Sequence, residues 1–160
     1  MSLQDELGFI KPIENKANEA VLNIILTGTL LAKEGQWVFR PFGLTLAQFN
    51  VLMLLKRQSI DGRINQTTLG KMMLVNRSNI TGLIDRMEEA GLVERTDDPE
   101  DRRVHYVEMT DAGSRVLEEV HKAYFSRIEE IMSVLSGNER KFLSSMLESV
   151  RMQLRWNVKK

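Results

Sequence analysis

The sequence predicts a mainly α fold carrying one small β-wing. Three observations predict it. Apolar residues recur at helical spacing through most of the 160 residues. Two capping boxes, Thr45-Leu46-Ala47-Gln48 and Ser136-Gly137-Asn138-Glu139, announce helix starts. The period changes from helical to alternating only between Leu92 and Met109.

Taken in order, Val21, Ile24, Ile25, Gly28 and Leu31 make an amphipathic stripe, which places a first helix near residues 12–35. Gly35 is expected to stop it, with Gln36 to Leu44 as a loop. Thr45 caps a second helix whose face runs through Phe49, Leu52, Met53 and Lys56. Asp61-Gly62 is a turn, and Ile64 is a candidate short-strand residue. Asn65 caps a short third helix from Gln66 to Met73. Asn76 caps a fourth from Arg77 to Ala90, with Ile80, Leu83, Ile84 and Met87 buried. Gly91 stands where a left-handed residue closes a helix, with Leu92 next to seal the end.

Leu92 to Thr96 and Val104 to Met109 then form a hairpin around the charged tip DDPEDRR, residues 97–103. Thr110-Asp111 opens a fifth helix with Val116, Leu117, Val120, Tyr124, Ile128, Ile131 and Leu135 on one side. The second capping box opens a sixth, striped by Leu143, Met146, Leu147, Val150 and Leu154.

Composition excludes several function classes. There are no cysteines, so disulfides, thiolate metal sites and cysteine nucleophiles are ruled out. The two histidines, His105 and His121, show no metal-ligand spacing. No nucleophile–base motif, Gly-rich phosphate loop or carboxylate cluster is found, so no enzyme and no cofactor is expected. The most apolar stretch, Val21 to Ala32, is shorter than the roughly 20 residues that span a bilayer. The first ten residues carry no secretory pattern. The expectation is a soluble cytoplasmic protein. Lys plus Arg equals Asp plus Glu at 22 each, which excludes a uniformly basic, polyanion-coating chain.

The third and fourth helices have the lengths and tight connection of a helix-turn-helix, whose second helix can enter the DNA major groove. Ser78, Thr81, Gly82 and Asp85 lie opposite the buried side of that helix, with Arg77 and Asn79 flanking its start. Short hydroxyl and amide groups and arginine read base edges or hold phosphates. Gly82 has two readings: room for close backbone approach to a partner, or a tolerated helix glycine. The hairpin that follows would be a wing. Arg102 and Arg103 at its tip suit a narrow, electronegative minor groove, and Asp101 is near enough to hold the Arg103 guanidinium. One feature opposes a DNA role: residues 63–103 carry seven basic and eight acidic side chains. Strongly salt-dependent binding is expected.

Residues 65–113 resemble the winged helix-turn-helix of the MarR family of bacterial transcriptional regulators. The segments DPEDRR, IDRMEEAGLVER and the run ending in TDAG carry the resemblance. It implies a single domain over residues 1–160, with the DNA-binding lobe at about 45–109. Dimerisation helices would lie at about 12–35 and 110–156. It implies a homodimer, probing a pseudo-palindromic double-stranded operator with Arg77, Ser78, Asn79 and Thr81, while Asp101 orients Arg103 for the minor groove. The terminal segments differ in charge: six basic against two acidic residues in 137–160, and three against five in 1–36. Those signs can assist pairing across a dimer, or belong to solvated surfaces with no pairing.

The resemblance further implies a repressor released by a small aromatic or amphipathic effector. Trp37, Arg40, Phe49 and Met53 are the candidate pocket residues. The alternative for these four is ordinary packing with one surface arginine. The alternative for the whole chain is a winged-helix scaffold that binds protein rather than DNA.

Overall fold

In the computed structural model the described residues are 2–59, 61–73, 77–98, 101 and 104–158. They fall into two compact units, residues 1–121 and 122–160. The helices are α1 (Leu3–Glu6), α2 (Lys16–Phe39), α3 (Leu46–Gln58), α4 (Gln66–Met72), α5 (Arg77–Glu89), α6 (Asp111–Met132) and α7 (Gly137–Val158). A three-stranded antiparallel sheet of β1 (Arg63–Asn65), β2 (Val93–Asp97) and β3 (His105–Met109) runs in the order β1-β3-β2. The fold is therefore mainly α with a small wing, as the periodicity predicts.

Local chemistry sets most boundaries. The Thr45 amide donates to Gln48 Oε1 at 2.8 Å and the Gln48 amide returns to Thr45 Oγ1 at 3.3 Å, closing the predicted box on α3. Asn65 Oδ1 accepts from the Thr67 and Thr68 amides at 2.9 and 3.2 Å, capping α4. At the end of α5, Gly91 is left-handed with φ +69°. Its amide bonds to the Glu88 carbonyl, and the Leu92 amide bonds to that of Met87, both at 2.9 Å. That is the paired closure the Gly91-Leu92 sequence predicts. At the start of α7 the Ser136 amide donates to Glu139 Oε2 at 2.7 Å. The Ser136 hydroxyl and amide hold the Glu139 carboxyl below the usual carboxylate range.

Several expectations need correction. The first long helix begins at Lys16 and runs through Gly35 to Phe39, in place of 12–35. Gly35 is buried inside the helix, where a Cβ would press on the Phe39 ring at 3.2 Å. It is a close-packing glycine, not a terminator. The helix gives way to a 3-10 turn, Arg40–Phe42, at Pro41, which has no amide hydrogen to continue the ladder. Residues 36–44 are therefore mostly helical. The short helix α1, capped by Ser2 and Asp5, was not expected from periodicity, because four residues are too few to show any. Helix α6 ends at Met132, so Leu135 lies in the following turn. There Arg140 Nε donates to the Met132 and Leu135 carbonyls at 3.0 Å each. The predicted cap Asn76 lies outside the described residues.

The core of the first unit gathers Phe39, Phe49, Leu52 and Leu55 with Leu69, Ile80, Ile84, Met87 and Val107, all nearly or fully inaccessible. Fully burying a large apolar side chain contributes about 1.5–3 kcal/mol. This cluster therefore fixes α4 and α5 relative to the sheet. Among the described residues no single helix is long and apolar enough to cross a membrane.

Candidate nucleic-acid interface

Helices α4 and α5 form the helix-turn-helix. Ile80, Ile84 and Met87 are at most 1% exposed. One side of α5 is thereby committed to the core, and Ser78, Asn79 and Thr81 are left exposed on the other. Gly82 is half-buried on that outer side. The nearest atom to a Cβ placed there is Arg86 Nη1 at 3.5 Å, an ordinary contact. Among the described residues nothing thus requires a glycine at 82. Ser78, Asn79, Gly82 and Arg86 line one shallow groove beside the helix, together with Ala47 and Met73.

The hairpin follows at once. β2 and β3 pair from Val93↔Met109 to Asp97↔His105. The Asp98 amide donates to the Val104 carbonyl at 3.0 Å, and the Val104 amide to that of Asp101 at 2.9 Å. The Asp101 amide donates to Asp98 Oδ1 at 3.1 Å. These bonds tie Asp98, Asp101 and Val104 together at the base of the tip. Arg102 and Arg103 lie outside the described residues, as does the proposed Asp101–Arg103 contact. Helix α5 begins at the predicted Arg77.

A residue that sequence reasoning missed stands at the centre. Arg95, on β2, reaches inward from the sheet. Its Nη1 donates to Glu88 Oε2 at 2.6 Å, its Nη2 pairs with Asp85, and its Nε donates to Gln66 Oε1 at 3.2 Å. Gln66 Nε2 in turn donates to Thr81 Oγ1 at 3.0 Å. A cleft of about 590 Å³ opens beside this network, with Lys71, Thr67 and His105 on its walls. The sequence held one signal for Arg95: it shares a strand face with Val93 and pairs with the buried Val107, where a charge needs partners.

The MarR family model matches residues 44–105, which contain the helix-turn-helix and most of the wing. The HTH-type transcriptional regulator MhqR of Bacillus subtilis is 32% identical over 68% of this chain and 72% of its own length. This chain belongs to the MarR family. The HTH-type transcriptional repressor YetL of Bacillus subtilis is 35% identical over 68% of this chain, which spans 65% of that protein's length. Among solved structures, the transcriptional repressor CouR bound to a 23-mer DNA duplex aligns with TM-score 0.79 and 27% identity. That alignment covers 88% of this chain and 98% of CouR.

Within this MarR-family chain the four candidate effector residues stand in different surroundings among the described residues. Phe49 is 3% exposed and stacks on Phe39 with ring centroids 4.8 Å apart, so it serves the core. Its burial fits the ordinary-packing alternative for this residue. Trp37 is exposed near the end of α2, and Arg40 is exposed in the 3-10 turn. Met53 lines a different groove, with Asn50, Leu54, Arg57, Met72 and Met73.

Proposed function

We propose that the chain is a cytoplasmic, homodimeric, sequence-specific DNA-binding regulator that acts as a repressor, and that a small aromatic or amphipathic effector releases it. The observation that carries this reading is the face of α5 on which Ser78, Asn79 and Thr81 are exposed beside the half-buried Gly82, followed directly by a hairpin whose tip carries two arginines. One element suits the major groove and the other the minor groove. The relatives support it: they are named transcriptional regulators and a repressor, and CouR is seen on a DNA duplex. None supports the protein-binding scaffold, and a catalytic role forms no part of the reading.

The dimer is supported by apolar faces too large for solvent. Val21, Ile24, Ile25 and Leu31 are exposed along α2, and Phe142, Met146, Val150 and Leu154 along α7. Contiguous apolar patches of this kind mark association surfaces. Trp37 and Arg40 are the candidates for holding an aromatic carboxylate.

The test is Arg103→Ala. Loss of a phosphate or groove contact is expected to cost about 1–3 kcal/mol of DNA affinity and to flatten the salt slope by about one. Unchanged binding would overturn the wing assignment.

A further inference from the structure

The acidic balance of the DNA-binding lobe finds its physical answer in Arg95. Two of the carboxylates that make residues 63–103 net acidic, Asp85 and Glu88, belong to the recognition helix itself. Both are partly exposed, at 48% and 39% of their side-chain surface, while Arg95 is only 22% exposed. Left alone, each would repel phosphate across a short distance. Neither stands alone. Glu88 takes the Arg95 backbone amide at 3.0 Å with one oxygen and the guanidinium at 2.6 Å with the other. Asp85 pairs with the remaining arm of the fork, which also donates to the Thr81 carbonyl at 3.3 Å. A planar guanidinium with five donors on three nitrogens can hold both acids, the Thr81 carbonyl and the Gln66 side chain at once, more partners than the three donors of a lysine can serve.

The same side chain ties three elements together. It sits on β2, holds α5 through Asp85, Glu88 and Thr81, and holds α4 through Gln66. Gln66 passes the restraint on to the Thr81 hydroxyl, so a side chain on the exposed face of α5 is oriented from the wing.

We propose that Arg95 is a positioning residue for DNA binding, which clamps the recognition helix to the wing and holds Asp85 and Glu88, offsetting one of their two charges, so that this face repels phosphate less. The proposal rests on the DNA-binding reading above. It gives Arg95 no contact with DNA.

Four proteins test it, each titrated against a random-sequence duplex and against DNA from upstream of the chain's own gene, at two salt concentrations. Arg95→Met is expected to weaken binding about tenfold or more, because it uncovers two carboxylates. Adding Asp85→Asn and Glu88→Gln to that variant is expected to recover part of the loss, about threefold or more, because the uncovered charges are gone while the clamp stays broken. Asp85→Asn with Glu88→Gln and Arg95 intact keeps the hydrogen-bond acceptors. It is expected to bind the random duplex several-fold more tightly, because two negative charges leave this face while Arg95 stays in place. This variant gives a result even if Arg95→Met does not fold. A triple variant as weak as Arg95→Met would overturn the proposal, as would a double variant that binds the random duplex no better than the unmodified chain. If the unmodified chain binds no duplex at low salt, the DNA-binding reading itself falls. Binding by the unmodified chain that Arg95→Met leaves intact removes the clamp alone.

Discussion

Gly113 lies so close to Leu92 that a Cβ on the glycine would overlap the Leu92 carbonyl oxygen. That carbonyl already accepts the Thr110 amide at 3.2 Å, and the Thr110 hydroxyl donates to the Gly91 carbonyl at 2.6 Å while accepting the Gly113 amide at 3.0 Å. The end of the recognition helix, the base of the wing and the first turn of α6 thus meet at one point. The neighbour is backbone and cannot rotate away. Gly113→Ala is therefore expected to cost about 1–3 kcal/mol, the usual range for overpacking. Urea denaturation measures it, and a change below about 0.5 kcal/mol, the scale of neutral surface substitutions, would show that the junction is not tight.

Gly82 makes the opposite case. It occupies the interior of α5 with room for a methyl group. Gly82→Ala is expected to stabilise the fold by about 0.5–1 kcal/mol, because glycine loses more backbone freedom in a helix. If the bare backbone is there for DNA, the same variant binds operator about tenfold more weakly, a loss of about 1.4 kcal/mol. Higher stability with unchanged DNA affinity would make Gly82 a tolerated helix glycine.

The α7 stripe yields a prediction about assembly. Phe142, Met146, Val150 and Leu154 recur every fourth residue and are all exposed. Val150→Glu puts a carboxylate on that stripe. It is expected to raise the dimer dissociation constant about a hundredfold, since an unpaired charge resists burial. Sedimentation velocity over a concentration series reads this directly. A variant that sediments like the unmodified chain would remove α7 from the interface.

What was legible in the sequence was short-ranged. The Thr45–Gln48 box, the Asn65 cap and the Gly91-Leu92 closure depend on residues at most five apart, and each forms as expected. Burial of Ile80, Ile84 and Met87 followed from period alone. The misreadings were long-ranged or ambiguous in pattern. Gly35 looks like a stop signal until Phe39 is seen packed against it. Phe49 fits a ligand wall or a core equally well in the sequence, and only the fold shows the Phe39 ring stacked on it. Arg95 carries no local motif. Its role appears only when Gln66, Thr81, Asp85 and Glu88 are brought around it from two helices.

The measurement that tests the central claim most directly is fluorescence anisotropy. The purified chain is titrated against labelled DNA from upstream of its own gene, beside a scrambled duplex, at two salt concentrations. The DNA-binding reading predicts selective binding to the natural duplex that weakens steeply with salt, with protection of a pseudo-palindrome whose half-sites lie about 10 bp apart. Equal affinity for both duplexes, or binding to neither at low salt, would contradict it.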